Sequence, residues 1–484
     1  MNNMESTHIG APAAAVALIA MLSFYTAMFP LLLLSSLASL ATAWTVHQLP
    51  RTPWTPATSL DELAALSLPT VLTDTPADGW AARRWTPESL TKQVRRWPHI
   101  AHSKRNSRFQ YFTPGKPMEQ SKKFWQRPYE HNSLTGKALL RKLRKLRSAE
   151  HVYVSADLDD LAPQLLPDIA PHHQLTPLGG RDDRECKDAL AEIVDGQEGS
   201  VADGSNKRLV RTLWMGVNTT ATLHYDEMSN TYVQLSGRKR FLMLAPPDML
   251  ACHIFPYDHP SDRQCQFDLP SDVSSGGGTA ADGGTTADFA QYPEARGIKN
   301  VYEVTLSPGD VLVMPAHVLH HVEALGLSIS VNLWMAPEST EAMTRLFDTL
   351  EPMYEAAEST WKTRANTGRA IKYYIDGVVS GLGFESSAFA DALIRRRWQP
   401  LYHGKGKMPK YKYSCGSNKK QPKRRAMLDG AVRSAVETFS QDFTKPYLRE
   451  VNLERWMEHV LSGFLSPKNV LPFLRSCVVD NDSN

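Results

Sequence analysis

Residues 218–241, NTTATLHYDEMSNTYVQLSGRKRF, contain a histidine and an aspartate, His224 and Asp226, inside a run whose composition predicts a β-strand. Side chains alternate between the two faces of a strand, so we predict that His224 and Asp226 point one way and Tyr225 the other. An imidazole nitrogen beside a carboxylate oxygen can supply two corners of a metal site. The next question is whether the chain offers a third ligand.

A third ligand can come from a histidine cluster further along the chain. The segment PGDVLVMP, residues 308–315, predicts a turn and a short apolar strand that ends at a proline, and AHVLHHVE follows at 316–323. This order delivers histidines to a strand end. We predict His320 as the ligand, with His317 and His321 as the alternatives. Two histidines and one carboxylate on one face are typical of non-haem Fe(II) oxygenases, which keep three coordination positions open.

These motifs resemble those of a known family. The chain is similar to the Jumonji-C and cupin-like Fe(II)- and 2-oxoglutarate-dependent oxygenases, and within them most similar to the asparaginyl hydroxylases that inhibit hypoxia-inducible factor. Residues 315–322 fit the family pattern PXXWXHXV around the distal histidine, with Val318 in place of the tryptophan. Further matches are VLTDT at 71–75, HYDE at 224–227, DRQ at 262–264 and VNLW at 331–334. The resemblance covers residues 68–340.

The resemblance implies a mainly β fold with a double-stranded β-helix core, or jelly roll, and flanking helices. The residues support this independently, because short strands joined by turns, without long helices between them, indicate an all-β barrel or jelly roll. The predicted strands of this part are 211–217, the one carrying His224, 231–235, 240–245, 301–306, 311–314 and 327–335.

The resemblance also implies the chemistry. His224, Asp226 and His320 would bind Fe(II), leaving two positions for 2-oxoglutarate and one for O2. The cosubstrate would be converted to succinate and CO2 while a protein side chain, an asparagine or another, is hydroxylated. A protein or peptide substrate follows from this assignment.

The far carboxylate of 2-oxoglutarate needs a cation, and Lys239 matches the family's lysine. Strand alternation turns Lys239 away from Arg238 and Arg240, although a lysine here can also edge a hairpin. Tyr153, Asn230 and Asn332 match family positions that hydrogen-bond the cosubstrate. The family's threonine is Ala221 here, so its hydroxyl is expected from Thr222, with Thr220 as the alternative.

The substrate pocket is expected at four further residues. Arg263 and Gln264 match the pair that holds a side-chain amide over the metal in the asparaginyl hydroxylases, and paired hydrogen bonds suit a guanidinium and a carboxamide for that task. Tyr111 and Trp334 match aromatic walls of the same pocket. Taken singly, each of the four fits ordinary packing.

Composition excludes some classes of protein. The chain has 484 residues, 42% hydrophobic and 22% charged, which is enough for one large or two ordinary domains with a core. A formal net charge of +3 points to no particular partner. The five cysteines show no CXXC spacing, which argues against a zinc ribbon or a disulfide scaffold and leaves the redox compartment open.

The amino terminus predicts a membrane anchor. No Asp, Glu, Lys or Arg occurs between Glu5 and Arg51, and the apolar run Ala13–Leu34 is long enough for a bilayer core, which needs about 20 residues. We therefore expect residues 1–50 to form a hydrophobic anchor helix of a single-pass membrane protein, on an undetermined side. The alternative is a cleaved signal ending at Ala41-Thr42-Ala43, which would make the protein secreted or lumenal.

Four further segments organise the chain. Residues 51–67 are predicted to be a linker, 68–340 the oxygenase domain with a Gly/Ser-rich insertion at 271–288, and 341–484 a helical region that resembles the family's dimerisation region. A homodimer through these helices is thus expected.

Two basic segments admit more than one reading. The amphipathic segment KALLRKLRKLR, 137–147, predicts a core-packing helix with a solvated basic face, or a helix on an anionic membrane. The stretch 403–425 holds nine Lys or Arg residues and no acid, typical of a solvated loop, with nucleic acid or lipid binding as the alternative. Three competing functions stay open. They are an N-methyl-lysine demethylase that would use the same metal centre, an RNA or modified-base hydroxylase, for which the stretch 403–425 is the only local support, and an inactive membrane-tethered binding module.

Overall fold

A computed structural model of the protein describes residues 44–479, except 67, 105, 110–128, 148–149, 171, 176–208, 270–288, 336–337, 349, 404–414 and 416–421. Its described strands form two sheets. They are β1 Thr45–Gln48, β2 Arg51–Pro53, β3 Thr70–Thr73, β4 Arg96–Ser103, β5 Glu130–Thr135, β6 His151–Asp157, β7 Leu209–Val217, β8 Thr220–His224, β9 Ser229–Ser236, β10 Lys239–Leu244, β11 Asn300–Leu306, β12 Val311–Met314, β13 Leu319–Ala324 and β14 Leu327–Met335.

The smaller sheet has the order β1-β11-β10-β13-β8 and the larger the order β2-β3-β12-β9-β14-β7-β6-β4-β5. Apolar side chains from both sheets meet between them in one cluster that includes Phe241 and Val304 from the smaller sheet and Tyr232 and Leu312 from the larger. This shared interior makes the two sheets the halves of a jelly roll, and the predicted mainly β, cupin-like fold is confirmed.

Helices cover the outer face of the larger sheet. Four short helices precede β7 in the chain: α1 Leu60–Ala65, α2 Pro87–Gln93, α3 Gly136–Arg144 and α4 Leu158–Leu161. Helix α2 begins with Thr86 as N-cap and Pro87 in the first position. In α3, Leu139 is fully buried beside Trp97 and Ile100 of the sheet. The basic segment 137–147 therefore uses its apolar side for core packing, the first of the two predicted alternatives.

The chain becomes helical after the last strand, as predicted. The helices are α5 Glu338–Asp348, α6 Glu351–Ala356, α7 Arg364–Gly381, α8 Ser386–Leu393, α9 Arg425–Asp442, α10 Pro446–Leu465 and α11 Val470–Phe473, with π-helical turns at Ala357–Trp361, Ile394–Trp398 and Leu474–Val479. They share a core around Trp361, Tyr374 and Trp456. A disulfide joins Cys415 to Cys477, and the other two cysteines that the structure describes, Cys252 and Cys265, form no disulfide.

Several details differ from the sequence-based expectations. His320 does not end the strand before it but lies inside a strand of its own, β13, because Pro315 ends β12 and the chain turns back. β8 ends at His224, so Asp226 follows the strand instead of belonging to it. The predicted linker 51–67 contributes β2, which pairs with β3, and α1. β2 was missed because it is only three residues long and includes a proline, so its local pattern does not indicate a strand.

Some expectations fall outside the described residues. They are the anchor Ala13–Leu34, the insertion 271–288, Tyr111 and nearly all of the basic stretch 403–425. Among the helices that are described, none has both the length and the apolar character needed to cross a membrane.

Candidate metal centre

Three potential ligands converge where β8 and β13 lie side by side. His224 at the end of β8 pairs directly with His320 of β13, and their ring centroids are 4.2 Å apart. Asp226 turns back beside them, with its Oδ2 3.4 Å from Nε2 of His320. One ligand atom from each of the three residues lies within 4.8 Å of the others. Three such atoms around one point match the facial arrangement of two histidines and one carboxylate.

Backbone carbonyls orient both rings. Nδ1 of His224 lies 2.7 Å from the Thr222 carbonyl, and Nδ1 of His320 lies 2.8 Å from the Val318 carbonyl. Only a protonated nitrogen can donate to a carbonyl, so each Nδ1 carries the hydrogen and each Nε2 keeps its lone pair for a metal. Burial, together with nearby His320, lowers the pKa of His224 to about 4, which keeps that imidazole neutral.

The neighbouring histidines face elsewhere. His317 has a left-handed backbone, with φ of 66°, and stacks on Tyr225 with centroids 5.6 Å apart. His321 points to the opposite side of β13, where its Nδ1 lies 2.8 Å from Oδ1 of Asp268. Although burial opposes the charged form, Asp268 and Glu323 raise the pKa of His321 to about 9. Of the clustered histidines, only His320 joins the group of three.

A cavity of about 340 Å³ adjoins this group, and Lys239 lies at its inner part. Only 2% of Lys239 is exposed, and its ammonium lies 3.3 Å from the Ser330 hydroxyl. No carboxylate of the described residues forms an ion pair with it. Burial therefore lowers the pKa of Lys239 to about 7. A buried cation without a protein anion is suited to an anionic ligand.

Other cavity-lining groups also lack partners within the described part of the chain. They are Oγ1 of Thr222 and Oδ1 of Asn230 and Asn332, all buried. Thr220, the alternative to Thr222, instead has its hydroxyl 3.1 Å from that of Ser107. A ligand with a carboxylate for Lys239 and further oxygens for the hydroxyl and amides would satisfy these groups, and 2-oxoglutarate has this character.

Three of the four predicted substrate residues line the same cavity. Arg263 has a left-handed backbone, with φ of 68°, and its Nη1 lies 3.9 Å from Oδ1 of Asp226. The backbone of Gln264 forms an isolated antiparallel β-bridge with that of His224. Trp334 contributes a wall. Tyr153 also lines the cavity, and its ring lies 5.8 Å from Nζ of Lys239. The structure thus brings all predicted site residues together except Tyr111, which is not described.

Several lining residues were not predicted. His99, Phe109, Tyr129, His131 and Trp214 extend the cavity from Tyr153 towards β4 and β5. The rings of Tyr153 and Trp214 stack, with centroids 5.0 Å apart. Alternation within HIAHS at 99–103 and HVYVSAD at 151–157 could have indicated strands, because buried residues alternate with cavity residues there.

A second layer of charge supports the loops that carry these residues. Arg455 of helix α10 forms ion pairs with Glu227, next to Asp226, and with Asp262, next to Arg263. Burial raises the pKa of Asp262 to about 7, although Arg397 and Arg263 oppose this effect. The helical region therefore contacts the two loops that carry Asp226 and Arg263.

Comparison with known proteins identifies the family of the chain. A family model described as a cupin-like domain matches residues 56–341. The HSPB1-associated protein 1 homolog of Danio rerio is 30% identical over 172 residues, 35% of each chain. JmjC domain-containing protein C of Dictyostelium discoideum is 28% identical over 138 residues, covering 27% of this chain and 29% of that one. The tRNA wybutosine-synthesizing protein 5 of Danio rerio is 30% identical over 111 residues, covering 23% and 28%. The matched segments span about a third of these relatives' length.

Proposed function

Because the chain belongs to the cupin-like, Jumonji-C family, we propose that it is an Fe(II)- and 2-oxoglutarate-dependent oxygenase that hydroxylates a neutral side chain of a protein. The observation that carries the proposal is the position of His224, Asp226 and His320 in a cavity that also contains the buried ammonium of Lys239, with which no carboxylate of the described residues pairs. A metal-binding group beside an anion-binding group is what a metal-bound keto acid requires.

Each residue has a distinct part in this proposal. His224, Asp226 and His320 hold the metal, and Lys239 binds the far carboxylate of 2-oxoglutarate as a point charge. Thr222, Asn230, Asn332 and Tyr153 hydrogen-bond its remaining oxygens. With O2, ferrous iron and 2-oxoglutarate supply the oxidising power that turns a substrate C–H into C–OH, yielding succinate and CO2. Lys239, Asn230 and Asn332 are at most 4% exposed, and this burial keeps water from the inner part of the cavity.

The polarity of the cavity favours a neutral substrate side chain. Among the described lining residues, the carboxylates are Asp226, assigned to the metal, and Asp262, paired with Arg455. Arg263, His99 and His131 also line the cavity and add positive or neutral groups. A methyl-lysine is cationic and would find no free carboxylate there, whereas an amide suits the donors and acceptors of Arg263 and Gln264. This favours hydroxylation over N-methyl-lysine demethylation.

A protein is the favoured kind of substrate. Four mammalian relatives and the zebrafish relative are named for their association with HSPB1, a protein partner, and we extend to this chain only the idea that a protein binds at or near the site. Attachment to a membrane through residues 1–50 and dimerisation through the C-terminal helices remain predictions.

Succinate formation and peptide mass spectrometry test the proposal together. We expect the purified full chain, given Fe(II), ascorbate and 2-oxoglutarate, to release succinate and to add 16 Da to a protein substrate, a mass set by one oxygen atom. His224→Ala should abolish both. His459→Ala is the matched control, because it removes a partly buried ring stacked on Phe347, away from the cavity.

The same experiment separates the competing functions. Formaldehyde release from a methylated peptide would replace the hydroxylase with a demethylase, and oxidation of RNA nucleosides would replace the protein substrate. A folded chain that binds neither Fe(II) nor 2-oxoglutarate would leave a binding module.

A further inference from the structure

The two strands that carry the histidine ligands do not form a regular ladder. His320 pairs with His224 and Val322 pairs with Ala221, so two steps along β13 correspond to three steps along β8. Such a bulge re-aims the side chains around it, and bulges are frequent next to active sites. Here the irregularity lies at the position where the two imidazoles must face each other. Something has to hold the strands in this register.

The carboxylate of Asp268 bonds to both strands at this position. Its Oδ1 accepts a hydrogen bond from the backbone N–H of Leu223 in β8 over 3.0 Å, and it lies 2.8 Å from Nδ1 of His321 in β13. Leu223 directly precedes the ligand His224, and His321 directly follows the ligand His320. One oxygen atom thus joins the residues that adjoin the two histidine ligands.

The surroundings of Asp268 fix this carboxylate in place. Its Oδ1 also accepts from the N–H of Leu269 over 2.9 Å, and its Oδ2 pairs with Arg108 over 2.8 Å. Asp268, His321 and Arg108 are 3%, 1% and 6% exposed, so water offers no substitute for these bonds. Asn would match the shape of Asp268 but would place an NH2 group against one of these donors.

Asp268 acts on the metal ligands without touching the cavity. It is absent from the described lining residues, and the residues it contacts do not include Lys239, Asn230 or Asn332. We propose that Asp268 is a positioning residue that holds β8 and β13 in the register at which His224 and His320 share a metal. The proposal rests on the metal site of the proposed function.

Cobalt binding tests this role without using turnover. The visible absorption of Co(II) reports its coordination, and titration of the full chain gives its affinity. We expect Asp268→Asn to weaken Co(II) binding about 10- to 100-fold, the usual effect of losing a residue that orients a ligand. Its absorption bands should also shift. Asp159→Asn is the matched control, since it removes a carboxylate paired with the buried Arg211 outside the cavity, and it should keep both affinity and spectrum.

A second pair of variants covers the case in which Asp268→Asn does not fold. His321→Leu removes the donor on β13 and should weaken Co(II) binding, whereas His321→Asn retains an N–H donor near Nδ1 and should restore most of the affinity. Stability loss alone would not produce this rescue together with a recovered spectrum.

The outcomes separate the two proposals. Unchanged Co(II) affinity and spectrum in Asp268→Asn or in His321→Leu would overturn the positioning role while leaving the oxygenase proposal intact. An equal loss in Asp159→Asn would also overturn the positioning role, because the effect would then be general. If Asp226→Ala binds Co(II) as tightly as the wild type does, the metal site itself is refuted.

Discussion

The ammonium of Lys239 on β10 lies 3.3 Å from the hydroxyl of Ser330 on β14, inside the jelly roll. Besides this hydroxyl, the ammonium contacts the rings of Tyr153 and Tyr232, and no carboxylate of the described residues pairs with it. A lysine buried in this way destabilises the ligand-free fold, because its charge has lost water and gained no counter-ion. The same position provides the strongest electrostatic attraction for an incoming carboxylate. Stability and ligand binding are therefore opposed at this residue.

Lys239→Met should stabilise the ligand-free protein. Burial lowers the pKa of Lys239 from 10.5 to about 7, so below pH 7 the folded state holds a costly charge. Between about pH 7 and 10.5 the unfolded state binds the proton and the folded state does not, so wild-type stability rises with pH there. We expect Lys239→Met to add about 1–3 kcal/mol to the free energy of unfolding at pH 6.5. The gain should shrink towards pH 10.

Denaturant unfolding at several pH values measures this difference. Arg238→Met, at the exposed neighbouring position, is the control and should change stability by no more than about 0.5 kcal/mol. A loss of stability in Lys239→Met at pH 6.5 would show that the ammonium has a compensating partner.

Binding of 2-oxoglutarate should take up a proton above pH 7. Lys239 is then mainly neutral in the free protein, and a bound carboxylate favours its charged form, so its pKa rises on binding. The affinity should accordingly fall as the pH increases from about 7, by up to about tenfold per unit. Calorimetry at pH 8.5 in two buffers with different ionisation enthalpies counts the protons. Lys239→Arg should bind without proton uptake, because guanidinium stays charged, and equal enthalpies for wild type in both buffers would contradict the prediction.

Divalent metal should stabilise the protein through the three-residue group. At a free concentration one hundred times the dissociation constant, binding adds about 2.7 kcal/mol to the free energy of unfolding. We expect Mn(II) or Fe(II) without oxygen to raise the melting temperature and EDTA to reverse the rise. Asp226→Ala should remove the response. His317→Asn should retain it, since His317 stacks on Tyr225 and asparagine tolerates its positive φ.

The crossing of α7 and α9 should depend on a glycine. A Cβ atom at Gly377 would lie 2.8 Å from Cγ2 of Val432, which is too close for packed atoms. Gly377→Ala should therefore cost about 1–3 kcal/mol of stability through overpacking. Adding Val432→Ala makes room and should recover part of this loss, as measured by thermal unfolding. If the single variant is as stable as wild type, the helices can separate without cost.

Much of the jelly roll was predictable from sequence because its strands are marked locally. The runs 301–306, 311–314 and 327–335 alternate or are wholly apolar, and the observed strands agree with them to within a residue. β1 could not be predicted, because Thr45–Gln48 follows an apolar segment and its partner β11 lies 255 residues away. Pairing at such distance leaves no mark in the local pattern.

The candidate site divides in the same way. His224, Asp226 and Lys239 could be located from spacing and resemblance. The contact of Asp268 with His321 could not, because it joins residues 53 apart in the sequence and Asp268 lies outside the regular strands. The roles of Thr220 and Thr222 also needed coordinates, since alternation places both on one face and only the bond from Thr220 to Ser107 distinguishes them.

Helix α10 carries Arg455 to the loops at Glu227 and Asp262, and its Val451 packs in the same cluster as Leu223 and Tyr225. A fragment ending at residue 340 would lose this cation and expose that apolar surface, so its metal loop would be held from one side only. We therefore expect the jelly roll to need the C-terminal helices for a stable site. Truncated or domain-swapped designs should keep these helices.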